Sequence, residues 1–233
     1  MTDRAFQPPA PGSQPAYDVP SYGSTHRRAP SQPLVAVAPT IECAGPVFPP
    51  AHYPAAADLS REGGRDAMGQ RIIVAGQVTD DGGRPVPDAM IELWQANAAG
   101  RYHHERDAHD APLDPNFRGA GRVFTDGDGR YRFVSIKPGA YPWRNHPNAW
   151  RPNHIHYSLF GASWGARLVT QMYFPGDPLL DIDPIYQSIP DPEARTRLVS
   201  RFDLSLTQPE WALGFRFDIV LRGLHATPML GDA

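Results

Sequence analysis

The chain has 233 residues, of which 41% are hydrophobic and 20% are charged, and its formal net charge at pH 7 is −3. That length and hydrophobic content suffice for one substantial core, so we expect a single domain with an extended arm. The charge balance, without a basic run, argues against nucleic acid or an anionic membrane as a partner. Cys43 is the only cysteine, which excludes an internal disulfide framework and favours a reducing compartment. The N-terminus lacks leader character and no apolar segment has membrane length, so we expect a soluble, cytoplasmic protein.

An extended, proline-rich N-terminal arm is predicted for residues 1–69, followed by a β-sandwich domain at 70–233. Up to about residue 60 the chain is rich in proline, alanine and serine, and its apolar residues are too sparse to form a core. Tyr22 and the apolar run at 34–38 make this arm more adhesive than a pure linker requires. We therefore expect it to lie along another surface, with a mobile tail as the alternative for residues 1–15.

From Arg71 onward the sequence predicts short strands separated by turns. Turn sequences rich in aspartate and glycine at 80–83 and 126–129 each separate two strand-like runs. The second of these turns resembles part of a calcium loop, but it lacks the further oxygen ligands and the distal glutamate that such a loop needs. Both are therefore interpreted as hairpin turns.

The last strand-like run and a single helical segment complete the predicted elements. Between residues 215 and 222, apolar and polar side chains alternate, which predicts a half-buried strand of an antiparallel sheet. Only residues 192–202 have a helical pattern, beginning at Pro192. The predicted fold class is mostly β: an antiparallel two-sheet β-sandwich with long loops, one short helix and an extended N-terminal arm.

The stretch at 139–157 has the composition of a functional site. Its three prolines each fix φ and remove an amide donor, so most of it must be a shaped loop. The loop leads into a strand in which His154 and His156 point to the same face, because side chains alternate along a strand. Two imidazoles separated by roughly 6 to 7 Å of backbone rise can converge on one cation. A His-x-His pair also arises by chance, so further ligands are needed.

Tyrosine supplies the further candidate ligands. Tyr102 lies just past a glycine at the end of a predicted strand, where loop side chains are commonly offered to a site. His103 and His104 are adjacent and would point apart, so we interpret them as solvated loop residues. A tyrosine, with a pKa of about 10, becomes an anionic ligand at neutral pH only beside a strong Lewis acid. Two tyrosinates, the second from Tyr141, and two neutral imidazoles suit trivalent iron better than zinc.

Four separated blocks of sequence together resemble the intradiol ring-cleaving dioxygenases. They are Trp-Gln-Ala-Asn with Gly-Arg-Tyr at 94–102, Ala-Pro-Leu-Asp-Pro-Asn-Phe at 111–117, Lys-Pro-Gly with Tyr-Pro-Trp-Arg-Asn at 137–145, and Trp-Arg-Pro-Asn-His-Ile-His at 150–156. Four blocks in order and at sensible spacing are far harder to obtain by chance than one. The resemblance runs from about Tyr22 to Leu224, and within the family it is to the iron-binding β chains that act on protocatechuate.

The resemblance implies a non-haem Fe(III) centre with one ion per chain. Its protein ligands, joined by a solvent hydroxide, would be Tyr102, Tyr141, His154 and His156. The residues implied around the substrate are Arg151, Trp143, Ile185, Gln171 and, on the arm, Tyr22. Two residues of the implied site are expected to be catalytic. Arg151 would stabilise charge that develops on the substrate ring, and the metal ligand Tyr141 would accept a substrate proton.

The activity implied is cleavage of protocatechuate (3,4-dihydroxybenzoate) with O2 to 3-carboxy-cis,cis-muconate, in the β-ketoadipate pathway of aromatic catabolism. The partners implied are the aromatic diol, O2 and a related α chain in a large hetero-oligomer. One alternative is another intradiol substrate, such as catechol or hydroxyquinol. A second is a non-catalytic, prealbumin-like β-sandwich interaction module, which residues 71–95 also resemble. That alternative gives no reason for two tyrosines and two histidines.

Overall fold

The computed structural model describes residues 9–16, 51–143, 149–160 and 167–230. Predictions made for Tyr22, Cys43 and the apolar run at 34–38 lie outside these residues. In chain order the strands are β1 (Arg61–Glu62), β2 (Arg65–Asp66), β3 (Arg71–Thr79), β4 (Met90–Trp94), β5 (Ala120–Phe124), β6 (Arg130–Ile136), β7 (Tyr141–Trp143), β8 (Ala149–Arg151), β9 (His154–Phe160), β10 (Arg167–Tyr173), β11 (Arg201–Phe202), β12 (Leu213–Arg216) and β13 (Ile219–Val220). The helices are a 3-10 helix, η1 (Pro178–Asp181), and two α-helices, α1 (Pro184–Gln187) and α2 (Pro192–Thr196).

Two sheets carry the fold. The first has the order β10-β9-β4-β5, and every pair in it is antiparallel. The second is centred on β3, which pairs with β6 antiparallel and with β12 and β13 parallel, while β11 lies beyond β12. Two short ribbons, β1-β2 and β7-β8, stand apart from the sheets. The prediction of a mostly β fold with a two-sheet architecture is confirmed.

The main core lies between the two sheets, because apolar side chains alternate along their strands. Both sheets contribute to one buried cluster, which includes Ile72, Val74, Ile91, Leu93, Ile155, Tyr157 and Leu159. On β9, the residues between these core positions are His154 and His156. The burial of Ile155 and Tyr157 therefore fixes the two histidines on the opposite, outer face of the first sheet.

The last predicted strand differs from the prediction in its continuity and in its pairing. Phe215, Phe217 and Ile219 are buried on one face as predicted, but the run divides into β12 and β13, which pair parallel with β3. Gly76 of β3 lies at the division, where a Cβ would sit 1.7 Å from the carbonyl oxygen of Phe217. There the carboxylate of Asp218 accepts the amide hydrogen of Gln77 at 3.0 Å. The predicted antiparallel pairing is found between β12 and β11 but not with β3, because alternation does not identify a strand's neighbour.

The two predicted turns form, but they connect the sheets. Asp126 Oδ1 accepts hydrogen bonds from the amides of Asp128 and Arg130, as expected of a tight turn. This turn joins β5 of the first sheet to β6 of the second, so it is not a hairpin. The turn at 80–83 doubles back only as far as a bridge between Thr79 and Pro85 before the chain crosses to β4.

Within the described residues, each of the three short helices begins at an Asp-Pro pair. The aspartate side chain accepts a hydrogen bond from a first-turn amide, and the proline supplies a helical φ without leaving an amide unsatisfied. The capping aspartates are Asp177, Asp183 and Asp191. The predicted helix at 192–202 starts at Pro192 but ends at Thr196, and η1 and α1 were not predicted. None of the helices in the described part of the chain has the length and apolar character needed to cross a membrane.

The described part of the predicted arm packs on the sandwich. Ala56 forms a bridge with Arg122 of β5, and Asp58 forms one with Val134 of β6, so this segment covers an edge of each sheet. Leu59, which follows, is buried in the core. These contacts agree with an arm that lies along a surface. The domain boundary between residues 69 and 70 stays a prediction.

Candidate metal centre

Four predicted ligands converge on the outer face of the first sheet, and we call their donor atoms the ligand cluster. The hydroxyl of Tyr102 lies 3.3 Å from that of Tyr141 and 3.0 Å from His156 Nε2. His154 Nε2 lies 3.2 Å from the Tyr141 hydroxyl and 3.2 Å from His156 Nε2. Donors held about 2.0–2.1 Å from one ion, at angles of about 90–110°, lie about 2.8–3.4 Å apart. The ligand cluster therefore has the dimensions of the ligand shell around a single metal ion.

Strand register and two neighbouring groups orient the histidines. His154 Nδ1 lies 2.6 Å from the carbonyl oxygen of Pro152, which accepts its hydrogen and leaves the Nε2 lone pair facing the ligand cluster. Trp94, opposite His156 across the β4-β9 pair, stacks on its ring with centroids 4.8 Å apart and planes 5° apart. Both imidazoles are therefore held in ligating orientations by the protein itself.

Tyr102 lies on a loop and Tyr141 begins β7, and the segments that precede them approach each other closely only through glycine. Gly100 has a φ of +78°, and a Cβ there would lie 2.1 Å from the carbonyl oxygen of Ala140. A Cβ on Gly139 would lie 2.4 Å from a carbonyl oxygen of the other loop. Neither approach is open to a residue with a side chain. Gly100 and Gly139, each two residues before a tyrosine, therefore allow the two phenol hydroxyls to come within contact distance.

Burial keeps the ligands neutral in the metal-free chain. Desolvation, with the nearby Arg151 charge, lowers the pKa of His154 well below its ordinary value and that of His156 to about 3. Desolvation, reinforced by Tyr141, raises the pKa of Tyr102 well above 10.0, and burial also raises the pKa of Tyr141. The imidazoles are ready donors at neutral pH, whereas the phenols lose their protons only to a strong Lewis acid. This donor set fits a ferric ion.

Arg151 supplies a fixed positive charge beside the ligand cluster. It faces Tyr141 across the β7-β8 ribbon, is 2% exposed, and lies over Trp143 with its guanidinium carbon 5.6 Å from the ring centroid. Burial acts to lower the pKa of Arg151, but contacts with Tyr173 and Asp183 outweigh it and the pKa stays above its ordinary value. A cation is therefore permanent here.

The other predicted pocket residues lie in the same place. Ile185 of α1 is buried in a second apolar cluster against which Trp143 packs. Gln171 of β10 faces His156 across the strands, and its Oε1 accepts hydrogen bonds from Arg151 and Tyr173. Tyr22 lies outside the described residues. The structure thus brings together every predicted site residue that it describes, and His103 and His104 are exposed, as predicted.

Three residues next to the site were not predicted from sequence. Trp94 was noted only as part of a motif, although it stacks on His156. Tyr173 and Asp183 are fully buried partners of Arg151. The Asp-Pro pair at 183–184 signals a helix start, but it does not show which cation the carboxylate contacts.

Comparisons with known proteins identify relatives of this chain. Residues 43–223 match the sequence model of a family described as Dioxygenase, and residues 6–40 match that of the protocatechuate 3,4-dioxygenase beta subunit N terminal. The chain is 57% identical to the protocatechuate 3,4-dioxygenase beta chain of Burkholderia cepacia, with 93% of this chain and 94% of that protein covered. It is 31% identical to the alpha chain of Pseudomonas putida, over 68% and 74% of the two chains.

A solved structure shows the same fold. The 3-chlorocatechol 1,2-dioxygenase of Rhodococcus opacus superposes with a TM-score of 0.55 at 25% identity, covering 70% of this chain and 63% of that one. The family match spans all four sequence blocks that suggested the resemblance. The chain belongs to the intradiol ring-cleaving dioxygenase family.

Proposed function

We propose that this chain is the iron-binding half of an enzyme that cleaves protocatechuate with O2 to 3-carboxy-cis,cis-muconate. The observation that carries the proposal is the ligand cluster of two tyrosines and two histidines beside the buried Arg151. Similarity to a protocatechuate 3,4-dioxygenase beta chain over nearly the whole of both sequences supports the substrate. Incubation of the purified, iron-loaded enzyme with protocatechuate and O2, with identification of the product by mass spectrometry, tests it.

One Fe(III) per chain would be held by Tyr102, Tyr141, His154 and His156. When bound, the ion supplies a Lewis acid that stabilises the deprotonated diol and takes part in the reaction with O2. The chain's own residues would perform the remaining steps. Tyr141, which would be deprotonated while it holds the ion, accepts a proton from a substrate hydroxyl on its phenolate oxygen, and burial, which raises the pKa of Tyr141, favours holding that proton.

Arg151 and its neighbours would act on the aromatic ring. Cleavage breaks the bond between the two hydroxylated carbons, and negative charge develops on the ring before that bond breaks. The Arg151 guanidinium, permanently charged and shielded from water, stabilises this charge. Trp143 and Ile185 supply apolar contacts that keep the ring in place and limit the entry of water.

The enzyme is expected to prefer protocatechuate to catechol by about 10- to 100-fold in kcat/KM, the range of a hydrogen bond to a charged group. In our proposal the Tyr22 hydroxyl donates to the ring carboxylate, and a site built to pair such a group discriminates against analogues that lack it. The Tyr22→Phe variant should lose about tenfold of this preference, whereas Tyr17→Phe serves as a control without that role. Similar kcat/KM values for both diols in the wild type, or an unchanged ratio in Tyr22→Phe, would contradict the assignment.

A related α chain is expected to be needed for full activity. The chain is similar to both a beta and an alpha chain, and its arm has a composition suited to lying on a surface. We propose that the α chain completes the carboxylate pocket within a hetero-oligomer. Light scattering and turnover assays of this chain, with and without its co-expressed α chain, should show larger particles and higher kcat/KM for the pair. Full activity in a monomer would rule this proposal out.

A further inference from the structure

A buried carboxylate holds one edge of the Arg151 guanidinium. The Asp183 side chain is 0% exposed; its Oδ1 accepts from Arg151 Nε at 2.9 Å, and its Oδ2 lies 3.5 Å from Nη2. Arg151 Nη2 also donates to Gln171 and, at 3.1 Å, to the hydroxyl of Tyr173. The remaining nitrogen, Nη1, makes no hydrogen bond to a residue that the structure describes. The edge formed by Nε and Nη2 is thus occupied by protein partners.

The planarity of the guanidinium makes this arrangement directional. Its donors form a rigid fork, so fixing Nε and Nη2 also fixes where Nη1 points. The same contacts hold the group over Trp143, 5.6 Å from the ring centroid. Arg151 and Asp183 are 2% and 0% exposed, so each is the counter-charge that keeps the other from being an isolated buried ion. Without Asp183, the charged Arg151 guanidinium would be better solvated if it turned toward water.

We propose that Asp183 is a positioning residue for Arg151. It directs the Nη1 edge toward the bound ring and retains the positive charge inside the pocket. The inference rests on the proposed function, because it requires Arg151 to act on that ring. Asp183 Oδ2 also accepts the amide hydrogen of Tyr186 at 3.2 Å and so caps α1, the helix that carries Ile185. One carboxylate therefore connects the charged and the apolar walls of the pocket.

The simpler alternative is that Asp183 only caps a helix, and the chain contains a matched case. Asp191 also precedes a proline, and its Oδ1 accepts the amide hydrogen of Glu193 at 2.9 Å to cap α2. Its carboxylate forms no ion pair with a residue in the described ranges. Asparagine is nearly as good an N-cap as aspartate, so substituting it at either position removes charge while keeping the cap.

The experiment compares Asp183→Asn with Asp191→Asn in the purified, iron-loaded enzyme acting on protocatechuate. Asp183→Asn is expected to lower kcat by about 100-fold, as a misplacement of about 1 Å does, with KM changed less than about threefold. Asp191→Asn should leave both constants within about twofold, as expected for a surface change away from the site. In an Arg151→Met background, Asp183→Asn should have no further effect on kcat, because the residue acts only through the arginine. Iron content and melting temperature are measured for each variant.

Two kinetic results would overturn the inference. One is equal loss of turnover in Asp183→Asn and Asp191→Asn. The other is a kcat loss from Asp183→Asn that persists in the Arg151→Met background, since that effect cannot pass through Arg151. If Asp183→Asn does not fold, Arg151→Met/Asp183→Asn should restore a cooperative melting transition by removing both charges. Failure of the double variant to do so would make Asp183 a purely structural residue.

The proposed function and this inference can fail separately. A wild-type enzyme that leaves protocatechuate intact contradicts the proposed function and leaves the kinetic comparison without a signal. The crystal structure of Asp183→Asn then decides the positioning claim. A guanidinium rotated away from its position over Trp143 supports the inference, and one that is unmoved overturns it.

Discussion

Replacement of His156 by alanine is expected to leave a folded protein without iron and with no measurable turnover of protocatechuate. His156 Nε2 lies 3.0 Å from the Tyr102 hydroxyl and 3.2 Å from His154 Nε2. Its loss therefore removes a donor atom that contacts two other members of the ligand cluster. Mutation of a residue that merely supports a metal ligand costs about 10- to 100-fold in affinity, and removal of the ligand itself should exceed that range. Iron content and the visible tyrosinate-to-iron absorption band measure the effect.

His103 provides the control for this prediction. It adjoins Tyr102 in the chain but is exposed, so His103→Ala should retain both iron and colour. Circular dichroism should show the same strand content in both variants, because the core face of β9 is untouched. An iron-replete His156→Ala protein would remove His156 from the ligand set. A colourless wild type with stoichiometric zinc would overturn the ferric assignment itself.

The parts of the fold that follow from local chemistry were predictable, and the pairing of distant strands was not. Alternation along β9 predicted that both histidines point to one face, and the structure buries Ile155 and Tyr157 on the other face. Alternation also gave the buried face of residues 215–219. It carried no information that β12 would lie parallel to β3, or that Gly76 and Asp218 would interrupt that pairing. Those depend on contacts between residues far apart in sequence.

The candidate site shows the same division. The four candidate ligands could be chosen from the sequence because two lie on one strand and the others belong to motifs with a chemical reason for tyrosine. The residues that hold Arg151 were not predictable, because Arg151 lies on β8 whereas its partners lie on β10 and at the start of α1. Asp183 is 32 residues from Arg151, and only its role as a helix cap is visible locally. Residues that position a catalytic group were therefore harder to predict than the group itself.

The Tyr141→Phe variant is expected to keep its iron and lose most of its turnover. Three protein ligands remain, and the phenyl ring preserves the edge contact with Tyr102, whose ring centroid is 5.3 Å away. Tyr102 still supplies a tyrosinate, so the protein should stay coloured. The missing hydroxyl removes a base beside the substrate, a role worth about 10²- to 10⁴-fold in rate. Steady-state kcat and anaerobic substrate-binding rates measure that loss.

Tyr131→Phe is the matched control, because it removes a buried phenol hydroxyl that lies away from the ligand cluster. That hydroxyl donates to the carbonyl oxygen of Phe217 at 2.6 Å, so its loss should lower stability by about 1 kcal/mol and leave turnover unchanged. A Tyr141→Phe protein that loses iron as His156→Ala does would show that Tyr141 is an indispensable ligand. One with wild-type turnover would show that its hydroxyl accepts no proton. Only retained iron with slow turnover fits a ligand that also serves as the base.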